Sequence, residues 1–131
     1  MPRNIGNVHP VLLEKIGRVL KAMDALGFKM MITDGARTAE VQNTIYQQGR
    51  TRPGAIVTNA DGYTVRSNHQ AKEDGFGYAV DCCFLDANSK PSWSMEMPWA
   101  TYAACCKAVG LRHGIKLSST RIDWPHAELP S

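Results

Sequence analysis

The stretch Tyr78-Ala79-Val80-Asp81-Cys82-Cys83-Phe84-Leu85 decides how this 131-residue chain folds. It is short and mostly apolar, and Val80, Cys82 and Phe84 alternate with Asp81, which predicts a β-strand with an apolar side. A carboxylate buried alone costs several kcal/mol, so Asp81 must be paired, bound to a metal or turned to solvent. We therefore predict a strand over residues 78–85 with its carboxylate opposite the apolar side.

Apolar residues recur at helical spacing in three other segments, and the ends of these segments carry helix signals. In the first, Pro10 suits the first helical position and Gly27 suits the left-handed residue after the helix. Thr38 is expected to cap the second helix, which is predicted to bury Val41 and Ile45. The three predicted helices are His9–Ala25, Thr38–Gln47 and Trp99–Ala108.

Further strands are predicted at Phe28–Thr33, which ends at the turn signal Asp34-Gly35, and near the end of the chain. Residues 50–77 are predicted to be irregular, with extended pieces at 56–58 and 63–65, and 86–98 are rich in turns. A loop as long as 50–77 in a small domain is usually functional or disordered. The late strands are predicted at Leu111–His113 and Trp124–Leu129. This pattern indicates one α+β domain over residues 1–131.

The composition is that of a soluble globular domain, with 44% hydrophobic and 21% charged residues. No apolar run approaches the roughly 20 residues that cross a bilayer. The first residues, Met1-Pro2-Arg3-Asn4, offer no secretory signal, so we expect synthesis in the cytoplasm. The net charge of +3 is small and scattered, and does not indicate a nucleic-acid partner.

The four cysteines form two adjacent pairs, Cys82-Cys83 and Cys105-Cys106, and not the spaced pairs of a structural zinc site. In a chain made without a signal peptide they are expected to be reduced, buried and inert. Strand alternation places Cys83 on the side of Asp81, where it is a rival metal ligand, but core packing is the preferred interpretation.

Two histidines and a carboxylate, His69, Asp81 and His126, can supply three ligands of a tetrahedral zinc ion and leave the fourth position for water. Zinc lowers the pKa of that water to about 7, so hydroxide forms near neutral pH. Asp123 is placed to take the proton and pass it to a leaving amine. The alternative is that these histidines are surface or helix-capping residues.

These residues also carry a family resemblance. The motifs Ser67-x-His69, Gly77-x-Ala79-x-Asp81 and Asp123-x-x-His126 resemble the zinc peptidases related to D-alanyl-D-alanine carboxypeptidases and bacteriophage L-alanyl-D-glutamate endopeptidases. The resemblance covers nearly the whole chain and implies a mainly antiparallel sheet with about three helices and a zinc site on the sheet, as in Hedgehog and DD-peptidase-like domains. The motifs that favour the phage endolysin branch are Gly35-Ala36-Arg37-Thr38, Gln48-Gly49-Arg50-Thr51, Pro53-Gly54 and Ile56-Val57-Thr58.

The resemblance implies that zinc is held by His69, Asp81 and His126, that Asp123 is the catalytic base, and that Arg37 holds or polarises the substrate. An arginine just after a strand end is well placed to stabilise an oxyanion, although a surface salt bridge is the alternative. Candidates for substrate contact are Ser67, Arg50 and His113. Ser67 could instead fix the ligand histidine, and His113 could instead approach the metal. The alternative to substrate contact is a position in a solvated loop for Arg50 and a half-exposed strand position for His113.

The chain departs from the family between His69 and Asp81, where the interval of 81 − 69 = 12 positions is longer than usual. The additional residues fall within 70–76 and are expected to lie beside the metal, as a lid or a specificity element. Glu73 and Asp74 are therefore rival carboxylates, with a solvated loop as the alternative.

The predicted function is zinc-dependent hydrolysis of the L-alanyl–D-glutamate bond in the stem peptide of bacterial peptidoglycan. The alternatives are a D-alanyl-D-alanine carboxypeptidase and a non-catalytic zinc or cell-wall binding module. We expect a monomer that partners neither nucleic acid nor membrane. The phage branch implies host lysis, with the enzyme released from the cytoplasm to the wall by a holin-type membrane lesion.

Overall fold

The strand that carries Asp81 lies inside a five-stranded sheet in a computed structural model, which describes residues 5–130. Residues 1–4, where we predict the lack of a secretory signal, lie outside the described part. All pairings of named strands are antiparallel, in the order β1-β2-β5-β4, and β3 pairs with the end of β2. The strands are β1 (Met30–Asp34), β2 (Ala79–Leu85), β3 (Pro91–Ser92), β4 (Arg112–His113) and β5 (His126–Glu128).

Three α-helices accompany the sheet, and two of them form the core with β2. The helices are α1 (Pro10–Ala25), α2 (Ala39–Gln47) and α3 (Trp99–Ala108), preceded by a 3-10 turn at Ile5–Asn7. Val80, Cys82 and Phe84 of β2 are buried in this core, which confirms the predicted apolar side of the strand. The residues that meet them from the helices are Leu12, Ile16, Val19 and Met23 of α1 and Trp99, Tyr102 and Cys106 of α3.

The helix ends follow the sequence signals. His9 caps α1, because its Nδ1 accepts a hydrogen bond from the Val11 backbone N–H, and Pro10 is the first helical residue. Gly27 follows α1 with a φ of +95°, in the left-handed region that glycine adopts readily. Thr38 caps α2 through a 3.1 Å bond from the Val41 N–H to its hydroxyl.

The predicted burial of α2 is wrong at Val41, whose side chain is 47% exposed. Gln42 is instead fully buried, and its amide is bonded to Arg37, to the Thr58 hydroxyl and to the Ala60 carbonyl. The helix therefore turns a polar residue inward, because its neighbour is the irregular segment 50–77, whose polar groups need partners.

The extended pieces predicted at 56–58 and 63–65 are not strands. A turn at Asp61 explains the second, because one carboxylate oxygen accepts bonds from the backbone N–H groups of Tyr63, Thr64 and Val65. Conversely, the turn-rich segment 86–98 contains the short strand β3, which exists through its pairing with Phe84 and Leu85. None of the helices within residues 5–130 has the length and apolar character that a bilayer-spanning segment requires.

The structure has all four cysteines as free thiols, and the predicted burial holds for three of them but not for Cys105. Cys82, Cys83 and Cys106 are buried, and burial raises the pKa of Cys106 to about 12, so this thiol is protonated and unreactive at neutral pH. Cys105 is partly accessible, and its sulfur lies 3.7 Å from that of Met23.

Candidate metal centre

Three side chains converge on the face of the sheet opposite the core. Each of His69, Asp81 and His126 offers a ligand atom, and these atoms lie within 4.8 Å of one another. Asp81 and His126 are directly opposed in the pairing of β2 with β5, so their side chains leave the sheet on the same side. Strand register thus brings two of the predicted ligands together, Asp81 and His126, and the irregular segment 50–77 supplies the third, His69.

His69 is fixed by the chain around β1. Its Nδ1–H donates to the Gly35 carbonyl at 2.7 Å, and its own carbonyl accepts a 2.7 Å bond from the Arg37 N–H. A carbonyl can only accept, so Nδ1 carries a proton and Nε2 is the nitrogen that is turned toward Asp81. That Nε2 lies 3.4 Å from Asp81 Oδ1. Ser67 supports this position, because its hydroxyl accepts from the His69 backbone N–H at 3.1 Å.

His126 is oriented by a residue that sequence analysis missed, Glu128. The Nε2–H of His126 donates to Glu128 Oε1 at 2.8 Å, while Nδ1 lies 3.7 Å from Asp81 Oδ1. The other oxygen of Glu128 accepts from the Asn68 amide at 2.8 Å. Carboxylates that hold the second nitrogen of a ligating histidine are common around zinc. The sequence held a signal for Glu128, because residues two apart on a strand share a face and Glu128 follows His126 by two positions.

Asp81 has a buried carboxylate oxygen without a hydrogen-bond partner among residues 5–130. Its Oδ1 is this oxygen, and two imidazoles face it. Its Oδ2 accepts from Arg37 Nη2 at 3.1 Å. Two imidazole nitrogens and one carboxylate oxygen form a donor set typical of catalytic zinc, with a position left for water. The residues present therefore fit a zinc ion.

The electrostatics of the metal-free site favour a cation at this point. Burial opposes the ionisation of Asp81, but the facing imidazoles His69 and His126 outweigh it and lower its pKa. Burial would likewise lower the pKa of His126, yet the neighbouring carboxylates of Asp81 and Glu128 raise it to about 9. His126 is therefore protonated at neutral pH, and a metal ion would take the place of that proton.

Arg37 is bound on three sides. Its Nε donates to Asp34 at 2.8 Å, Nη1 donates to the buried Gln42 at 3.0 Å, and Nη2 donates to Asp81. Asp34 is opposed to Asp81 in the pairing of β1 with β2, after a shift in register between Ile32 and Asp34. The guanidinium thus holds the carboxylate that the resemblance assigns to the metal, while its assigned role on the substrate stays a prediction.

Asp123 lies in the wall of the same cavity as the three converging residues. Burial raises its pKa to about 6, and the charge of Asp81 adds to this increase. A carboxyl group that titrates near neutral pH can both accept and return a proton, which is the property of a general base and acid. Its backbone is held by a 2.8 Å bond from its N–H to the Ile115 carbonyl.

The cavity above the site has a volume of about 560 Å³ and combines charged and apolar walls. This size is within the usual range for small-ligand sites, roughly 300–1,000 Å³. Ser67 and Arg37 also line it, together with the candidate metal ligands. The apolar wall is formed by Ile45, Val57, Trp93, Met95, Trp99, Ile115, Leu117 and Ile122.

Two predicted substrate residues do not line this cavity. The guanidinium of Arg50 stacks 3.8 Å above the ring of Tyr46 and donates to the carbonyls of Tyr46 and Thr58. The Nε2 of His113 lies 2.7 Å from the Trp124 carbonyl, and burial lowers the pKa of this histidine. Both side chains therefore bond to backbone carbonyls of neighbouring segments.

The additional residues 70–76 do not line the cavity, in contrast to the expected lid. Asp74 accepts a hydrogen bond from the hydroxyl of Tyr78, and the ammonium of Lys72 lies 4.4 Å from the centre of the same ring. Phe76 packs edge-on against His9. The segment therefore folds back toward the start of α1, and among residues 5–130 neither Glu73, Asp74 nor a cysteine joins the metal-ligand group.

No protein-family model matches the chain. It is 27% identical to the peptidoglycan L-alanyl-D-glutamate endopeptidase CwlK of Bacillus subtilis, over 94% of this chain and 74% of that protein. Its fold is similar to that of the L-Ala D-Glu endopeptidase ChiX of Serratia marcescens, with a TM-score of 0.65 and 23% identity over 97% of this chain and 84% of that one. The resemblance to this group of peptidases and the predicted α+β fold are confirmed.

Proposed function

We propose that this chain is a zinc-dependent peptidase that hydrolyses the L-alanyl–D-glutamate bond in the stem peptide of peptidoglycan. The observation that carries this proposal is the buried, unbonded Oδ1 of Asp81, which faces two imidazoles in a cavity that also holds Asp123. Similarity to CwlK over 94% of the chain supports the choice of substrate.

The metal would be held by His69 Nε2, Asp81 Oδ1 and His126 Nδ1, the three atoms that converge. When bound, zinc supplies Lewis acidity that activates water and polarises a peptide carbonyl. Glu128 and the Gly35 carbonyl fix the two imidazoles in the orientations that this arrangement needs. Arg37 keeps Asp81 in place through Oδ2 and leaves Oδ1 free.

Asp123 would move the proton. Its carboxylate takes a proton from the attacking water as the new carbon–oxygen bond forms, and delivers it to the alanyl–glutamyl nitrogen as the carbon–nitrogen bond breaks. The products are a carboxylate on alanine and a free amine on D-glutamate. A pKa of about 6 suits both halves of this transfer near neutral pH.

The test is digestion of purified peptidoglycan by the zinc-loaded chain, with mass spectrometry of the released muropeptides. New N-terminal D-glutamate is expected, and both a chelator and Asp123→Ala should remove it. Asp24→Ala, which changes an exposed carboxylate on α1, is the matched control. Loss of only terminal D-alanine would show a carboxypeptidase, and wall binding without any new peptide end would show a non-catalytic module.

We also propose that the enzyme acts in phage host lysis and reaches the wall from the cytoplasm after a membrane lesion. The motifs around Arg37 and Pro53-Gly54, which resemble the phage endolysin branch, support this role. Expression in a Gram-negative host should leave cells intact until a membrane-permeabilising agent is added, and then lyse them. Lysis without the agent would contradict the proposed release step.

A further inference from the structure

The rim of the cavity carries a second arginine that the proposed mechanism does not use. Arg121 lies at the end of a small turn over residues 116–122, here called the rim turn. Lys116 and Ile122 form an antiparallel bridge across this turn, and the Leu117 N–H donates to the Arg121 carbonyl at 2.9 Å. The backbone that carries Arg121 is therefore defined by hydrogen bonds within the turn.

Two side-chain bonds fasten the rim turn to the facing segment 56–59. Asn59 Nδ2 donates to the Leu117 carbonyl at 3.1 Å, and Arg121 Nη1 donates to the Ile56 carbonyl at 2.9 Å. Both segments also line the cavity, through Val57 on one side and Leu117 on the other. These bonds place the Arg121 guanidinium at the junction of two cavity walls.

Arg121 is the lining arginine whose donors remain available. The side chain of Arg37 is 11% exposed and is bonded to Asp34, Gln42 and Asp81. Arg121 is exposed, uses one N–H on a backbone carbonyl, and has no carboxylate of residues 5–130 within 4.0 Å. A guanidinium carries five N–H donors, so Arg121 retains free N–H groups that can bind an incoming anion.

The proposed substrate supplies such an anion. A glutamyl residue joined to alanine through its amine has two carboxyl groups, and only one of them can continue the peptide. The other is ionised at neutral pH and lies a few bonds from the scissile nitrogen. Planar guanidinium groups bind carboxylates in two-pronged fashion, which fixes orientation as well as charge.

We infer that Arg121 binds the free carboxylate of the D-glutamyl residue on the leaving side of the scissile bond. This inference rests on the proposed function and adds the residue that selects glutamate there. It predicts that a stem peptide whose free carboxylate is converted to an amide is a poorer substrate. Arg50, the arginine that sequence analysis offered for substrate contact, is occupied by Tyr46 and Thr58.

The test compares two synthetic peptides that differ only at this group, carboxylate or amide, with the zinc-loaded full chain. The wild type should prefer the carboxylate peptide in kcat/KM by roughly 10- to 150-fold, the usual effect of a hydrogen bond to a charged group. Arg121→Gln should bring the ratio of the two kcat/KM values close to one, and Arg121→Lys should keep part of the preference. Arg18→Gln, on the exposed surface of α1, should keep all of it.

A ratio of the two kcat/KM values that Arg121→Gln leaves unchanged would overturn the inference. An equal loss on both peptides would then be the mark of a purely structural clamp, and no loss on either would show that Arg121 does not take part. Calorimetric binding of peptides that begin with D-glutamate or its amide separates this inference from the proposed function. If the wild type cleaves neither peptide, the proposed function fails. The carboxylate site is still supported if the wild type binds the peptide with the carboxylate more tightly and Arg121→Gln removes this preference. Equal binding of both by the wild type refutes the site.

Discussion

Asp81 and Asp123 line one cavity, but their surroundings act on them in opposite directions. The imidazoles of His69 and His126 keep Asp81 ionised, whereas burial and the charge of Asp81 raise the pKa of Asp123 to about 6. Two acidic groups with separated pKa values are a common arrangement in hydrolytic sites. The split arises because His69 and His126 outweigh burial at Asp81 but not at Asp123.

Asp123→Asn should make the metal-free protein more stable at pH 8, by about 1–3 kcal/mol in free energy of unfolding. The folded pKa of Asp123 is above its ordinary value of 3.8, so the folded state binds this proton more tightly than the unfolded state. The wild type therefore loses stability between about pH 4 and 6, whereas asparagine does not titrate. Urea unfolding from pH 4 to 8 measures this, and a difference that is the same at every pH would contradict it.

Glu128→Gln should weaken zinc binding by about 10- to 100-fold, the usual effect of losing a carboxylate behind a ligating histidine. The glutamine can still accept from His126 Nε2–H, so the fold should persist while the negative charge is lost. Competition with a chromophoric chelator gives the zinc affinity. Glu14→Gln, at an exposed pair with Arg18, is the control, and an equal effect in both variants would remove Glu128 from the site.

Zinc binding at pH 7 should release about one proton, because His126 has a pKa of about 9 in the metal-free protein and a ligating imidazole cannot keep that proton. The apparent zinc affinity should consequently rise with pH up to about 9. Calorimetry in two buffers of different ionisation enthalpy counts the protons released. Zinc binding that releases no proton at pH 7 would mean that His126 is not a ligand.

Among the elements, β2 and α1 could be predicted from the sequence because each has a strong internal period. The shorter strands could not be placed as well, because β3 and β4 have two residues each and exist through their partners. The inward position of Gln42 was also missed, since its partners lie 16 and 18 residues away in an irregular segment. Local pattern finds elements with an apolar side, but not a polar residue that is buried to satisfy a loop.

The same limit applies to the site. The candidate metal ligands and Asp123 were found from residue type and family motif, whereas Arg121 was not. Nothing in the local sequence places the rim turn against residues 56–59, because the bonds that join them cross 58 and 65 positions. Arg50 was considered instead because it sits in a recognisable motif.

The packing of the irregular segment on α2 can be tested with one pair of glycines. Gly62 has a φ of +92°, and an added Cβ would lie 2.6 Å from the Ala39 carbonyl, so Gly62→Ala should cost at least about 1–2 kcal/mol of stability. Gly17, inside α1, has open space at the same point, and Gly17→Ala should stabilise the protein by about 0.5–1 kcal/mol. Urea unfolding of both variants measures this, and a shift of the same sign would contradict the model of packing.

At the scale of the whole molecule, the sheet separates the main core from the candidate site. Val80, Cys82 and Phe84 of β2 point to the helices α1 and α3, while Asp81 between them points to the cavity. The chain therefore has a core that does not depend on the metal ligands for its apolar contacts. Metal binding should add stability to this framework without being required for its formation.

Zinc at 100 times its dissociation constant should stabilise the folded chain by about 2.7 kcal/mol, through preferential binding to the native state. The thermal midpoint should rise with zinc and return to the metal-free value after chelation, with a folded protein at both ends. Asp81→Asn should abolish the increase, because it removes the charged ligand oxygen. Unfolding of the wild type on chelation at room temperature would show instead that the metal is structural.

The distribution of thiols has a practical consequence for testing whether the protein binds bacterial walls. Of the four cysteines only Cys105 is partly accessible, and it belongs to α3 and contacts Met23 on the core side of the sheet. A maleimide dye should therefore attach there before any buried thiol reacts. The natural chain offers one labelling position away from the candidate metal ligands, so the proposed binding to cell walls can be imaged without an engineered cysteine.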